Sequence, residues 1–316
     1  MHQRKLQLMT GETFWARESG LSKSNSRHLL TFRRYQRAFV DFFEDQLVSR
    51  RYDVQSVLEE YLLGGKKPLV NGLISGLAHP LIHLGYAYEL GSTTVAIEAL
   101  ALGACFYSPL HNYIDDNSYT KPSPHRSPDL VQILDKVRVD KRFDGLYPHR
   151  SGDISKVLDE REDVFLEYWN AWELSDPQLA FQQSQELAVT ILMGTEAPGD
   201  AKFDFFFVHI LTSSHAVRVL LPLIPAKHHI SLVRQWWLFT LAVYVAQTRP
   251  RLDHRIIEEY DLKGRDWKYV VHKALDSSQS TDAHYVKGMA SRKISPDAPL
   301  TPHSTALYEG NQRDLG

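Results

Sequence analysis

The sequence predicts an all-α fold: a single multi-helix domain with a proline-rich loop excursion and a loose C-terminal tail. Three observations carry that expectation. Apolar residues recur at spacings of three and four with charges on the other side, as in "TFRRYQRAFVDFFEDQLVSR" at 31–50. Capping and stopping residues stand at helix-length intervals: Asp176 before Pro177 opens a segment that Gly194 closes, and Gly64 follows "VQSVLEEYLL". No turn dipeptide lies between two alternating runs, so few strands are expected.

In chain order, residues 1–27 read as a loose N-terminal segment, 28–290 as the helical domain and 291–316 as a tail without periodicity. Phe32, Tyr35, Phe39, Phe42, Phe43 and Leu47 form the apolar face of the first helix. Between Lys67 and Glu89 no Asp, Glu, Lys or Arg occurs. Asn71, Pro80 and two histidines interrupt that stretch, so it reads as buried helix and not as a membrane span, which needs roughly 20 consecutive apolar residues. Within it, "GLAHPLIHLGYAYEL" sets Pro80 as the first helical residue, which makes His79 the cap. His83 then projects from the first turn, where the positive end of the helix dipole disfavours imidazolium. Residues 115–153, with "DDNSYTKPSPHRSPD" and "DKRFDGLYPHRSGD", read as the loop excursion. The run "LVRQWWLFTLAVYVAQ" at 232–247 reads as a core helix whose polar end, Arg234, faces outward.

With 316 residues, 43% of them hydrophobic, the chain can bury a substantial core. Its 36 Lys and Arg nearly balance 38 Asp and Glu, which gives no electrostatic reason to expect nucleic acid or an anionic membrane as partner. Small molecules are the expected partners. Cys105 is the only cysteine, which excludes an internal disulfide and a thiolate-rich metal site. Its Ala-Leu-rich surroundings predict a core thiol. The N-terminus has no secretory apolar run, and the protein reads as cytoplasmic.

Several fingerprints are missing. No two glycines stand at i and i+2, so GxGxxG is absent, and neither GxxxxGK[ST], HExxH nor GxSxG occurs. What remains is histidine, of which there are 15, several in apolar segments: His79 and His83, His209 and His215 in "FFFVHILTSSHAVRVLLP", and His284 in "TDAHYVKGM". His79 and His83, four apart, share a helical face, and neutral imidazoles there can bind a divalent metal or form a hydrogen-bonded core pair. His209 and His215 are about 600° apart around a helix at ~100° per residue, so they sit on different faces unless the helix breaks between them. The "HH" at 228–229 reads as a surface turn, His2, His125, His149 and His303 as solvated, Lys287 by default as a solvated flank, and the Phe and Trp clusters as core.

Five ordered blocks, "GLAHPLIHLGYAYEL", "EALALGACFYSPLH", "FFFVHILTSSHAVRVLLP", "RQWWLFTLAVYVAQTRP" and "DAHYVKGM", resemble the questin oxidase-like family of oxidoreductases over about residues 31–290. The resemblance implies an enzyme of secondary metabolism that oxidises an aromatic polyketide of anthraquinone type with dioxygen, by Baeyer-Villiger-like oxygen insertion or ring cleavage. It implies non-haem Fe(II) held by histidines and a carboxylated lysine, while other family descriptions imply, as an alternative, an NADPH-dependent oxidase without metal. Carried onto this chain, the ligands fall at His79 or His83 and at His209 or His215, with His284 as a further candidate and Lys287 as the modified lysine. Arg218 or Arg249 would pair a phenolate or ketone oxygen of the substrate. Family members also carry an N-terminal cluster of the form HNHxxHH. Here the corresponding place holds "SNSRHLLTFRRYQRAF", with His28 alone. A truncated, inactive helical relative is the alternative that this departure raises.

Overall fold

The computed structural model describes residues 35–195, 204–258 and 267–291. Residues 1–27, the tail beyond Ser291, and His2, His28 and His303 lie outside the described residues. Among the described residues the regular elements are helices, and one isolated bridge joins Ser127 to Trp172. The longer helices are α1 Gln36–Ser49, α2 Val54–Tyr61, α3 His79–Leu90, α4 Thr93–Cys105, α5 Leu130–Val139 and α6 Lys156–Trp169. They continue as α7 Pro177–Met193, α8 Phe205–Leu220, α9 His229–Ala246, α10 Trp267–Asp276 and α11 Ala283–Ser291. Among the described residues no single helix is long and apolar enough to cross a membrane.

The sequence of α8, "FFFVHILTSSHAVRVL", is apolar or small around nearly its whole circumference, so it is buried on all sides and becomes the hub. It packs against α3, α7, α9 and α11, and α3 in turn packs against α4 and α4 against α1. Asp204 starts α8 by accepting from the backbone N–H of Phe206 and Phe207, at 2.8 and 3.0 Å. The crossing of α3 and α8 is close because Gly85 has no side chain: a Cβ there would stand 2.6 Å from both Cα and Cβ of Ala216.

The entry to α3 is unusual. Gly76, Leu77 and Ala78 all have left-handed backbone, with φ of 61°, 57° and 59°. Leu77 and Ala78 carry side chains in that region, at a cost of roughly 1–2 kcal/mol each. Gly76 has a second reason to be glycine, since a Cβ would lie 2.7 Å from the Phe106 ring. This reversal delivers the chain into α3 one residue before the sequence reading expects: Ala78 is the N-cap, and His79 is already helical.

Four other expectations change. The 115–153 excursion contains α5, whose Leu130, Ile133, Leu134 and Val137 are buried at helical spacing. Its loop parts are pinned to the body, with Ser123 Oγ donating to Glu167 O at 2.6 Å and Asn170 Nδ2 to Tyr119 O at 2.9 Å. His125 is half-buried and stacked on Tyr168, ring centroids 4.4 Å apart, and His228 is buried at the turn before α9. Arg234 turns inward over the Trp169 ring at 3.7 Å, and burial lowers its pKa to about 10. Arg37–Asp41 and Arg50–Glu60 are surface pairs of the kind that contribute little.

Candidate metal centre

Three helices bring three histidines together. His79 comes from the first turn of α3, His209 from the first half of α8 and His284 from the first turn of α11. One ring nitrogen of each lies within 4.8 Å of the others. The rings of His79 and His209 are 5.0 Å apart, and those of His209 and His284 are 5.1 Å apart.

Two of the rings are oriented by hydrogen bonds from Nδ1. Nδ1 of His79 lies 2.7 Å from the carbonyl oxygen of Gly76, so the left-handed turn both starts the helix and aims the ring. Nδ1 of His209 lies 2.7 Å from the carbonyl oxygen of Phe205, one turn earlier on α8. A carbonyl can only accept, so Nδ1 carries the proton in both rings and Nε2 keeps its lone pair. Nδ1 of His284 faces Asp282 Oδ1 at 3.5 Å, and the same carboxylate caps α11 by accepting from the His284 N–H at 2.8 Å. An N–H donated to a carbonyl or carboxylate is the outer arrangement that metal-bound histidines adopt.

His209 is 1% exposed, and its Nε2 is enclosed with no hydrogen-bond partner among the described residues. An unsatisfied buried acceptor costs about 1–3 kcal/mol, which a bound cation would remove. With metal–nitrogen bonds of roughly 2.0–2.1 Å, ligand nitrogens at tetrahedral angles stand roughly 3.4 Å apart, so the 4.8 Å spread must contract for the three rings to hold one ion. Burial lowers the pKa of His209 to about 4, against a backbone hydrogen bond that acts the other way. Burial also lowers the pKa values of His79 and His83. These rings are neutral at pH 7 and ready to ligate.

The same shifts set the acid sensitivity of the metal-free protein. An unfolded histidine titrates near 6.5 and folded His209 near 4, so between those values the unfolded chain holds more protons. Stability is therefore present above about pH 6.5 and falls as the pH drops towards 4, by on the order of 3 kcal/mol from His209 alone. Urea denaturation at pH 7 and pH 5 measures this loss, and His209→Phe is expected to reduce it.

The other candidates take distinct places. His83 lies one turn along α3, its ring 6.2 Å from that of His79 and its Nδ1 on the carbonyl of His79 at 2.9 Å. Lys287, one turn after His284, is half-buried with Nζ 5.7 Å from the centre of the Tyr86 ring, and burial lowers its pKa. His215 is not in the group. It faces another side of α8, with Nε2 2.8 Å from Glu89 and Nδ1 3.1 Å from Arg218 Nη2, because the helix continues unbroken through Thr212, Ser213 and Ser214.

Arg249, expected to pair a substrate oxygen, is engaged within the protein. Its guanidinium donates to the carbonyls of Val137 and Asp140 at 3.1 and 2.8 Å and to Asp144 at 2.8 Å, closing the C-terminus of α5. The sequence reading passed over Asp282 and the carbonyls of Gly76 and Phe205. Asp282 had a readable signal, an N-capping residue just before "AHYVK", whereas carbonyl partners have no residue-type signature.

Phe205 adds an exposed ring at the rim. It is 48% exposed, and its centroid is 4.7 Å from that of His209 and 4.9 Å from that of His284.

The chain is similar to several known proteins. The chain is 26% identical over 284 residues to a Baeyer-Villiger oxidase of Pestalotiopsis microspora, covering 82% of this chain and 62% of that protein. It is 27% identical over 290 residues to a Baeyer-Villiger monooxygenase of Aspergillus aculeatus, covering 79% and 58%. A Baeyer-Villiger oxidase of Paecilomyces divaricatus is 24% identical over 272 residues, covering 79% and 58%. The chain thus spans about six-tenths of the length of these relatives. The profile of the questin oxidase-like family matches residues 2–291, further towards the N-terminus than the five blocks alone reach. The chain belongs to the questin oxidase-like family.

Proposed function

We propose that this protein is a metal-dependent oxidoreductase that oxidises a planar aromatic polyketide with dioxygen, by oxygen insertion or ring cleavage. The observation that carries the reading is the enclosed Nε2 of His209, without a partner among the described residues, in a ring that gathers with those of His79 and His284. Imidazole donors with room for an oxygen ligand suit ferrous iron. When bound, such an ion would supply the redox chemistry that activates dioxygen, which amino-acid side chains lack.

The chain's own groups supply the rest. His79, His209 and His284 would hold the ion, and Gly76 O, Phe205 O and Asp282 keep the rings aimed. Half-burial raises the neutral fraction of Lys287, and a neutral amine can add to carbon dioxide. The N–C bond forms, one N–H proton leaves to water, and a carbamate oxygen anion replaces a cation beside the histidines. Phe205 offers a ring against which a planar substrate can stack. The Baeyer-Villiger names of the relatives support oxygen insertion over the alternatives.

Metal-free protein reconstituted with ferrous iron under exclusion of air is expected to consume dioxygen when a hydroxyanthraquinone is added. His284→Ala is expected to lose at least ten-fold in that rate, of the order that a lost ligand or its outer-shell partner costs. Equal oxygen uptake with and without metal would contradict the proposed metal dependence.

A further inference from the structure

A second polar cluster lies between α3 and α8, and the metal site does not use it. His215 is buried with both ring nitrogens engaged, Nε2 at 2.8 Å from Glu89 Oε2 and Nδ1 at 3.1 Å from Arg218 Nη2. A guanidinium has no lone pair to offer, so Arg218 donates and Nδ1 accepts. The ring proton then sits on Nε2 and is donated to Glu89. The imidazole is a spacer that separates the carboxylate from the cation.

Arg218 is left with charge unspent. Among the described residues no carboxylate lies within ion-pair distance of it, and its Nε is enclosed with no acceptor. Burial lowers its pKa, and the more distant charge of Glu89 opposes that shift. A half-buried cation held by one bond to an imidazole nitrogen, with an enclosed donor still unsatisfied, fits an anionic acceptor that arrives from outside. The position is close to the histidine group. Tyr86 stands between them, its ring 5.8 Å from that of His215 and its centre 5.7 Å from Lys287 Nζ.

We propose that Arg218 is the anchor for an anionic oxygen, phenolate or carboxylate, on an aromatic ligand, with His215 and Glu89 as its positioning residues. The aromatic class of the ligand rests on the function proposed above. The requirement for negative charge rests on the geometry of Arg218 alone.

The test measures binding to metal-free protein by quenching of tryptophan fluorescence, so it is independent of metal loading and turnover. The probes are an anthraquinone carboxylate against its carboxamide, and alizarin at a pH where it is ionised against its dimethyl ether. Wild-type protein is expected to bind at least one ionised probe about ten-fold or more tightly than its neutral counterpart, the scale of a charge-assisted pair. Preference confined to the carboxylate or to alizarin identifies which anion is recognised. Arg218→Met is expected to remove the preference while leaving the neutral probes unchanged, and Arg218→Lys to retain part of it. Equal binding of ionised and neutral probes by wild-type protein would overturn the proposal, whether or not the variants fold. So would a preference that survives Arg218→Met. Loss of iron-dependent oxygen uptake with the charge preference intact would overturn the metal reading and leave this one standing.

Discussion

His209→Leu is expected to abolish metal binding and to leave the metal-free protein as stable as the wild type, or more stable by about 1 kcal/mol. Leucine has a similar volume and no polar atom. It removes an enclosed Nε2 that has no partner, worth about 1–3 kcal/mol, and gives up the Nδ1 bond to Phe205 O, worth about 0.5–1.5 kcal/mol net. Most substitutions of a residue this deep in a core destabilise. A gain would mark the histidine as kept for chemistry at the expense of stability. Urea denaturation of the metal-free proteins and metal analysis of the as-purified proteins give the two readouts. A histidine that serves packing alone would show the reverse: a clear loss of stability and no change in metal content.

The second large effect is expected at Gly85→Val. The first added carbon would lie 2.6 Å from the Cα and Cβ of Ala216, so backbone must move and α3 must separate from α8. Overpacking costs typically about 1–3 kcal/mol, and β-branching places more atoms at the same contact. His79 and His209 are carried by these two helices, so the same movement spreads the proposed metal ligands. Gly85→Val is expected to lose both stability, at or above the upper end of that range, and metal affinity. Gly85→Ala should lose less, because alanine regains about 1 kcal/mol of helix propensity. Thermal melting and metal titration of the two variants check the order. Wild-type metal affinity in a destabilised Gly85→Val would separate the crossing from the site.

The helices were legible because their causes are local. Asp176, Pro177 and Gly194 bound α7 as their types dictate, and the apolar stripe of Phe39, Phe43 and Leu47 on α1 is the buried one. Helix α5 was obscured by the prolines and charges around it, although Leu130, Ile133, Leu134 and Val137 repeat at helical spacing. The start of α3 shifted by a residue because a left-handed run at Leu77 and Ala78 leaves no trace in residue type beyond Gly76.

The site was legible as a set of histidines and not as a geometry. Spacing separated the faces of His209 and His215 but could not say which face meets α3 and α11. Packing around Gly85 and Ala216 decides it, and that is a long-range contact between two helices. Arg218 and Arg249 look alike in sequence. One closes a helix end through three carbonyls and a carboxylate, and the other is separated from its carboxylate by an imidazole. No property of an isolated arginine distinguishes them.

Calorimetric titration of a divalent metal into metal-free wild-type protein at pH 7, repeated with His79→Ala, His209→Ala and His284→Ala, tests the central claim most directly. The account predicts a single tight site in the wild type that each substitution weakens by at least ten-fold. Heat of binding that is absent in the wild type, or unchanged by the three substitutions, would contradict it.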